Sequence, residues 1–304
     1  MRSEALEPGT APPAGGPAGG PGHSVGRRAP GRRTRLILAC TAAAAVAYWA
    51  LGLSLGELVP RPAGRAVLGE LLGAAVRPAL TREVPIDGAP ALLLDVLGAA
   101  WRTLAFAVAG MGCALILAVP LLLLSTDALW ARALECGGVL AGGARLVRSG
   151  ARLASALLRS VHELLWAVLL LSALGVEPFT GVVALALPFA GTLARLGSEM
   201  IDESDPAPAL ALRHMGAGSA AELFLGRLPL SLGDQSAYAF YRFECALRSA
   251  AVLGFFGYDT LGLRLKGSFD HLRYGEFWTY LYALLAMVLV FEALSARLRR
   301  RFVV

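Results

Sequence analysis

The run from Thr103 to Leu124 carries no charged residue, and this constrains the chain more than any other feature. A helix needs about 20 residues to cross the hydrocarbon of a bilayer. One that is apolar on every side belongs in a membrane or in the core of a large protein. Further apolar runs follow the same plan. Leu36–Leu55 predicts a first span, Ala156–Val176 a third, Pro178–Ala194 a fourth, Ala237–Phe256 a fifth and Phe277–Leu294 a sixth. Only 16% of the residues are charged, against about 25% in soluble domains. A β-barrel would alternate apolar and polar residues over segments of about 10, and these runs do not alternate. The expectation is an all-α integral membrane protein with about six transmembrane helices.

The formal net charge of +6 comes almost wholly from arginine, Lys266 being the only lysine. Arginine-rich flanks mark the cytoplasmic side of a membrane protein, so nucleic acid is not the expected partner; the lipid bilayer is. Arg27, Arg28, Arg32, Arg33 and Arg35 precede the first run, and Arg297, Arg299, Arg300 and Arg301 follow the last. Both termini are therefore expected in the cytoplasm. The organisation reads as a disordered basic tail over 1–35, a first span over 36–56 and an extracytoplasmic connection over 57–98. A main bundle of spans over 99–296 and a basic tail over 297–304 complete it. Cys40, Cys113, Cys136 and Cys245 form no CxxC pair, and no Cys/His cluster has metal-ligand spacing; neither metal nor cofactor is expected.

The loop over 197–235 departs from the charge rule. It lies on the expected cytoplasmic side yet carries Glu199, Asp202, Glu203 and Asp205. Asp205 before Pro206 is a helix start, because the carboxylate can accept from free backbone N–H groups and proline suits the first turn. Residues through Leu210, Ala211, Leu212 and Arg213 continue that helix, and Gly216 can take the left-handed conformation that ends it. Ser219 and Glu222 have capping-box spacing for a second helix, with Leu228 and Pro229 at its end. A short loop would have sufficed to join two spans, so this helical hairpin is a candidate surface for a soluble partner.

Charges inside a span are costly and usually pair or face a cavity. Arg242, Glu244 and Arg248 lie within the fifth run. Glu244 and Arg248 have the i, i+4 order that favours an ion pair. Arg242 is two residues, about 200°, away from Glu244 and cannot use the same face. Either arginine could line a path for an anion; a structural pair is the competing reading. His162 and Glu163 are expected to cap or orient the third span.

Gly216, Leu228 and Pro229 have the spacing of the "EAA" loop of binding-protein-dependent, MetI-like ABC importer permeases, which the chain resembles. The glutamate-alanine-alanine of that loop falls on Leu210, Ala211 and Leu212, and Leu212-Arg213 matches the phosphonate-uptake branch. Arg159-Ser-Val-His-Glu163, Pro178 to Leu187, Ser198-Glu199, and Tyr241-Arg-Phe-Glu244 with Arg248-Ser249 and Val252-Leu-Gly254 resemble the same branch. The likeness covers about residues 100–300. It implies a multi-pass permease of the bacterial inner membrane that translocates phosphonate or a related oxyanion and acts as a homodimer. It also implies two copies of a separate ABC ATPase gripping Asp205–Pro229. A periplasmic or lipid-anchored binding protein would deliver substrate, and Arg242, Glu244, Arg248 and Gly254 would lie along the path or in an intramembrane pair.

A phosphate-binding loop needs Gly-x-x-x-x-Gly-Lys-Ser/Thr; Lys266 stands in no such motif. The chain is thus expected not to be an enzyme. The alternatives are a secondary transporter or channel for a small anion that needs no ATPase, or a membrane enzyme with clustered catalytic groups.

Overall fold

The computed structural model describes residues 31–52, 56, 62–84 and 90–302. Two units are distinct, residues 1–62 and 63–304. The described helix of the first is α1 (Arg32–Ala50). Arg32, Arg33 and Arg35, expected in a disordered tail, stand in its first turn; residues 1–30 of that tail lie outside the described residues. The second unit runs through α2 (Pro62–Val76), α3 (Leu92–Ser125), α4 (Asp127–Cys136), α5 (Gly138–Ser160), α6 (Glu163–Leu174) and α7 (Pro178–Glu203). It continues with α8 (Ala207–His214), α9 (Ser219–Ala221), a π-helical turn Glu222–Arg227, α10 (Leu228–Val252), a 3-10 turn Leu253–Phe256, α11 (Leu261–Asp270) and α12 (Tyr274–Phe302).

Small residues decide how the helices meet. Along α3 the buried positions include Ala99, Thr103, Ala107, Gly110, Ala114 and Ala118, at helical spacing. On α7 they include Gly181, Ala184, Ala190, Gly191, Ala194 and Gly197. Without bulky side chains the backbones approach closely, which is how helices associate where lipid removes the hydrophobic drive. A Cβ on Gly110 would stand 3.0 Å from Leu185 Cβ, and one on Gly191 would stand 2.6 Å from Ser155 O on α5. Helix α7 is the axis of the unit, packed against α3, α5, α6 and α10.

Among the described residues, three stretches are long and apolar enough to cross a bilayer: Leu92–Cys136, Pro178–Glu203 and Tyr274–Leu298. A fourth arises if α5 and α6 count as one broken span. The third run is not a straight helix: α5 and α6 meet at 89°. The chain is extended at Val161, and His162 caps α6 by accepting from Leu164 N–H at 3.3 Å. Polar Arg159, His162 and Glu163 would otherwise sit in mid-helix.

Three boundaries also move. Helix α3 begins at Leu92, well before the expected Thr103. Part of the stretch expected to be a connection forms α2, and residues 71–79 dock on α12. There Trp278 Nε1 and Thr279 Oγ1 donate to Leu71 O and Ala79 O, both at 2.6 Å. The stretch between the fifth and sixth runs contains α11, tied to α3 by Leu261 N–H donating to Thr103 Oγ1 at 2.9 Å.

Candidate functional site

The hairpin forms as its sequence dictates at α8 and differently afterwards. Asp205 Oδ1 accepts from Ala207 N–H at 2.9 Å and opens α8. Gly216, at φ +87°, closes it. Ala217 N–H donates to Leu212 O and Gly216 N–H to Arg213 O, both at 3.0 Å, the paired bonds of a Schellman closure. The capping box does not form: Gly218 is the cap residue and Ser219 makes no side-chain cap bond. Glu222 is instead buried, its Oε1 2.7 Å from Arg132 Nη2 on α4. Nor does Pro229 stop the second helix. It occupies the first turn of α10, where a missing N–H costs nothing, and the chain stays helical from Ser219 through Val252.

The two arms of the hairpin touch backbone to backbone, because a Cβ on Gly226 would stand 2.8 Å from Ala209 Cα. With Ala209 buried, Leu210, Met215, Phe224 and Leu225 remain outside, Met215 74% and Leu225 68% exposed. Ala211 and Pro229 are also exposed; Leu212, Arg213 and Leu228 are half-buried.

Helix α4 braces this hairpin by charge. Arg213 Nη2 pairs with Glu135 Oε2, a hydrogen bond that raises the guanidinium pKa above its ordinary value. Asp202, at the end of α7, accepts at 2.9 Å from Asp127 N–H and at 3.1 Å from Ala128 N–H, and also from Thr126 Oγ1. It is the N-terminal cap of α4, supplied from another helix. Arg152 of α5 pairs with Asp127 at 3.1 Å, and Arg227 Nη1 donates to Asp202 O at 3.0 Å. Three of the four acids that made this loop depart from the charge rule are therefore engaged internally: Asp202, Asp205 at the start of α8, and Glu199, which pairs with Arg195.

Further along α10 a polar cavity of about 480 Å³ opens at the α5–α6 bend. Arg159, His162 and Glu163 line it from the bend, Thr192 from α7, and Arg242, Cys245 and Ser249 from α10. Arg242 Nε donates to Tyr238 OH, and its guanidinium carbon lies 5.2 Å from that ring's centroid. Glu163 Oε1 accepts from Ser249 Oγ at 2.8 Å, which joins α6 to α10. The cavity thus offers two guanidiniums beside one engaged carboxylate, charged donors suited to an oxyanion; its two hydroxyls, Thr192 and Ser249, already donate, to Pro188 O and to Glu163 Oε1. Of the four residues expected along the path, Arg242, Glu244, Arg248 and Gly254, Arg242 alone lines it. Glu244 is buried on another face, and Arg248 is exposed, its Nη2 3.5 Å from Cys245 Sγ. Gly254 lies beyond the end of α10, where a Cβ would stand 2.1 Å from Leu263 N.

Comparison with known proteins identifies the family. Residues 136–304 match the binding-protein-dependent transport system inner membrane component. The chain belongs to that family. The match takes in the hairpin, the cavity and the whole of α10 of this transport component. HtxE of Stutzerimonas stutzeri, which bears the name of a phosphite transport system permease, is 38% identical over 52% of this chain and 61% of its own length. The phosphite transport system permease protein PtxC of the same organism is 34% identical over 52% of this chain and 57% of its own. The phosphate-import permease protein PhnE of Mycolicibacterium smegmatis is 33% identical over 48% and 27%. The matched stretch therefore spans less than two thirds of each of these relatives.

Among solved structures, an amino acid ABC transporter chain superposes with a TM-score of 0.57 at 16% identity, covering 69% of this chain and 94% of that one. A chain of the inward-facing MetNI methionine ABC transporter gives 0.57 at 19%, covering 70% and 98%. The transport component therefore has the MetI-like fold.

Asp202, Glu135 and Arg132, which set the hairpin, were not legible as site residues. Asp202 and Asp127 are 75 positions apart, and nothing local announces their contact. Tyr238 and Ser249 did leave a signal, in the spacing of polar residues along the fifth run.

Proposed function

We propose that this chain is the permease subunit of an ABC importer that carries phosphonate or a related phosphorus oxyanion across the bacterial inner membrane. A separate ATPase chain supplies the work. The observation that carries the reading is the pair formed by the cavity around Arg242 and Arg159 and the hairpin at the start of the same helix. A buried ionised ligand needs charge-assisted donors, and the cavity holds them. Motion of the hairpin is motion of α10, because Ser219–Val252 is one continuous helical stretch. The family and the names of the relatives, which concern phosphite and phosphate, support the substrate class.

In this reading Asp205, Leu210, Ala211, Leu212, Arg213, Gly216, Leu228 and Pro229 form the surface or frame that the ATPase grips. Exposed Leu210 offers an apolar contact where the family loop has glutamate. Six spans place both termini and the hairpin on the cytoplasmic side. Two copies of the chain enclose the path, two ATPase copies sit beneath them, and a periplasmic or lipid-anchored binding protein delivers the anion. Glu244 and Arg248, on the far side of α10 from Arg242, stand off the path, and Gly254 sets the turn beyond it.

The test is uptake of labelled inorganic phosphite, phosphate and methylphosphonate into proteoliposomes holding this chain, its ATPase and its binding protein. Uptake that requires ATP and the ATPase is expected for at least one of them. Equal uptake from liposomes holding this chain alone would establish a secondary transporter or channel instead.

A further inference from the structure

Six polar side chains of α10 fall on one line: Ser231, Gln235, Tyr238, Arg242, Cys245 and Ser249. The intervals alternate four and three, so all lie within about 40° of a common direction on a helix turning 100° per residue. The helix has 25 residues, a length of about 37 Å, enough to cross the hydrocarbon layer. None of the six is fully exposed; Ser231 is 2% exposed and the others are intermediate. In lipid, polar residues held off the lipid face line a cavity or bind each other. Here they do both. Gln235 Nε2 donates to Ser231 Oγ at 2.8 Å, and Arg242 Nε donates to Tyr238 OH.

Two cavities open along this line. The upper one is the polar cavity already described, reached by Arg242, Cys245 and Ser249. The lower one, of about 210 Å³, sets Gln235 and Tyr238 of α10 against an apolar wall that includes Leu115, Val119 and Leu122 of α3 and Leu193 of α7. The Tyr238–Arg242 contact lies between them. Ser231 is three residues from Leu228, where the hairpin joins α10.

We infer that this polar edge is the track of the transported oxyanion, from the upper cavity past a Tyr238–Arg242 partition into the lower cavity and out beside the hairpin. The inference deepens the importer reading and rests on it. The edge bears no carboxylate. The Ser231 and Ser249 hydroxyls already donate, to Leu228 O at 3.0 Å and to Glu163 Oε1 at 2.8 Å, so the donors left for an anion are those of Gln235, Tyr238 and Arg242. Tyr238 accepts from Arg242, so its own proton is free for a ligand. Arg242 uses Nε for that contact and keeps both Nη groups for the cavity. Gln235 spends one amide N–H on Ser231 and has another. Glu244 and Arg248 lie about 200° and 240° around the helix from Arg242, off the track. The arrangement also links transport to the ATPase, because a tilt of α10 at its hairpin end moves every member of the edge together.

The native Cys245 reports on this without any change to the edge. With Cys40, Cys113 and Cys136 replaced by alanine, the assembled transporter in proteoliposomes is treated with a small, negatively charged, membrane-impermeant methanethiosulfonate. Cys245 is expected to react, and millimolar phosphite to slow the reaction. Single cysteines are then compared in a Cys245→Ala background. Ser231→Cys, Gln235→Cys and Ser249→Cys are expected to react at least tenfold faster than Gly233→Cys, Phe240→Cys and Leu247→Cys, relative to a neutral reagent of equal size. Equal rates on and off the edge, or a Cys245 indifferent to phosphite while ATP-driven phosphite uptake persists, overturn the track. Periodic labelling without ATP-driven uptake overturns the importer reading instead, leaving a water-filled edge, so the two failures are distinguishable.

Discussion

Arg242 is the side chain on which the anion chemistry turns. It is half-buried, held by Tyr238, and points its remaining donors into a cavity that Arg159 also lines. A charge-assisted hydrogen bond is worth about 1.5–3 kcal/mol, so Arg242→Gln is expected to lower phosphite uptake at least about tenfold. Arg242→Lys, which keeps charge but loses the planar fork, should retain part. Initial uptake rates at fixed expression check both, and an unchanged rate for Arg242→Gln would place the anion elsewhere.

Gly254 illustrates a different constraint at the same scale. A Cβ there would stand 2.1 Å from Leu263 N and 2.5 Å from Thr260 Oγ1, so Gly254→Ala forces the α10–α11 turn apart. The expected cost is about 1–3 kcal/mol, read as a lower Tm in detergent. Gly216→Ala strains backbone at φ +87° and is expected to cost less, because a Cβ there meets no neighbouring atom.

At the scale of elements, the hairpin is held by its neighbours as much as by its own caps. Asp202 supplies α4 with a cap from across the fold, and Asp202→Ala is expected to cost about 1–2 kcal/mol. Arg213 meets Glu135 on the same brace. Arg213→Glu should lower both ATP-driven uptake and Tm through repulsion from Glu135. The reversed pair, Arg213→Glu with Glu135→Arg, should recover the lost stability. If thermal unfolding shows no recovery, the pair is not what holds α8 against α4. Uptake by the reversed pair then tells whether the ATPase also reads the charge at 213.

At the scale of the molecule, α7 joins the parts. Its middle lines the cavity at Pro188 and Thr192, and its end at Asp202 caps α4 beside the hairpin. Force on the hairpin reaches the cavity along two helices, α7 and α10, that pack against each other. Met215→Cys, at the tip and highly exposed in the native residue, is expected to crosslink to the ATPase in membranes. The yield should change between ATP-bound and nucleotide-free states; absence of any crosslink would remove the hairpin from the coupling surface.

The amino-acid sequence alone determined the membrane class, the family and the start and end of α8. These rest on signals carried within a few residues: an uncharged run, an aspartate before proline, a glycine needing positive φ. Only the tertiary structure decided that the third run breaks at His162, that Glu222 turns to Arg132 rather than capping its own helix, and that Pro229 begins a helix instead of ending one. It also decided which charge of α10 meets the cavity. Each of these depends on a partner far along the chain, and the free energy of such a contact exists only once packing has brought the two groups together.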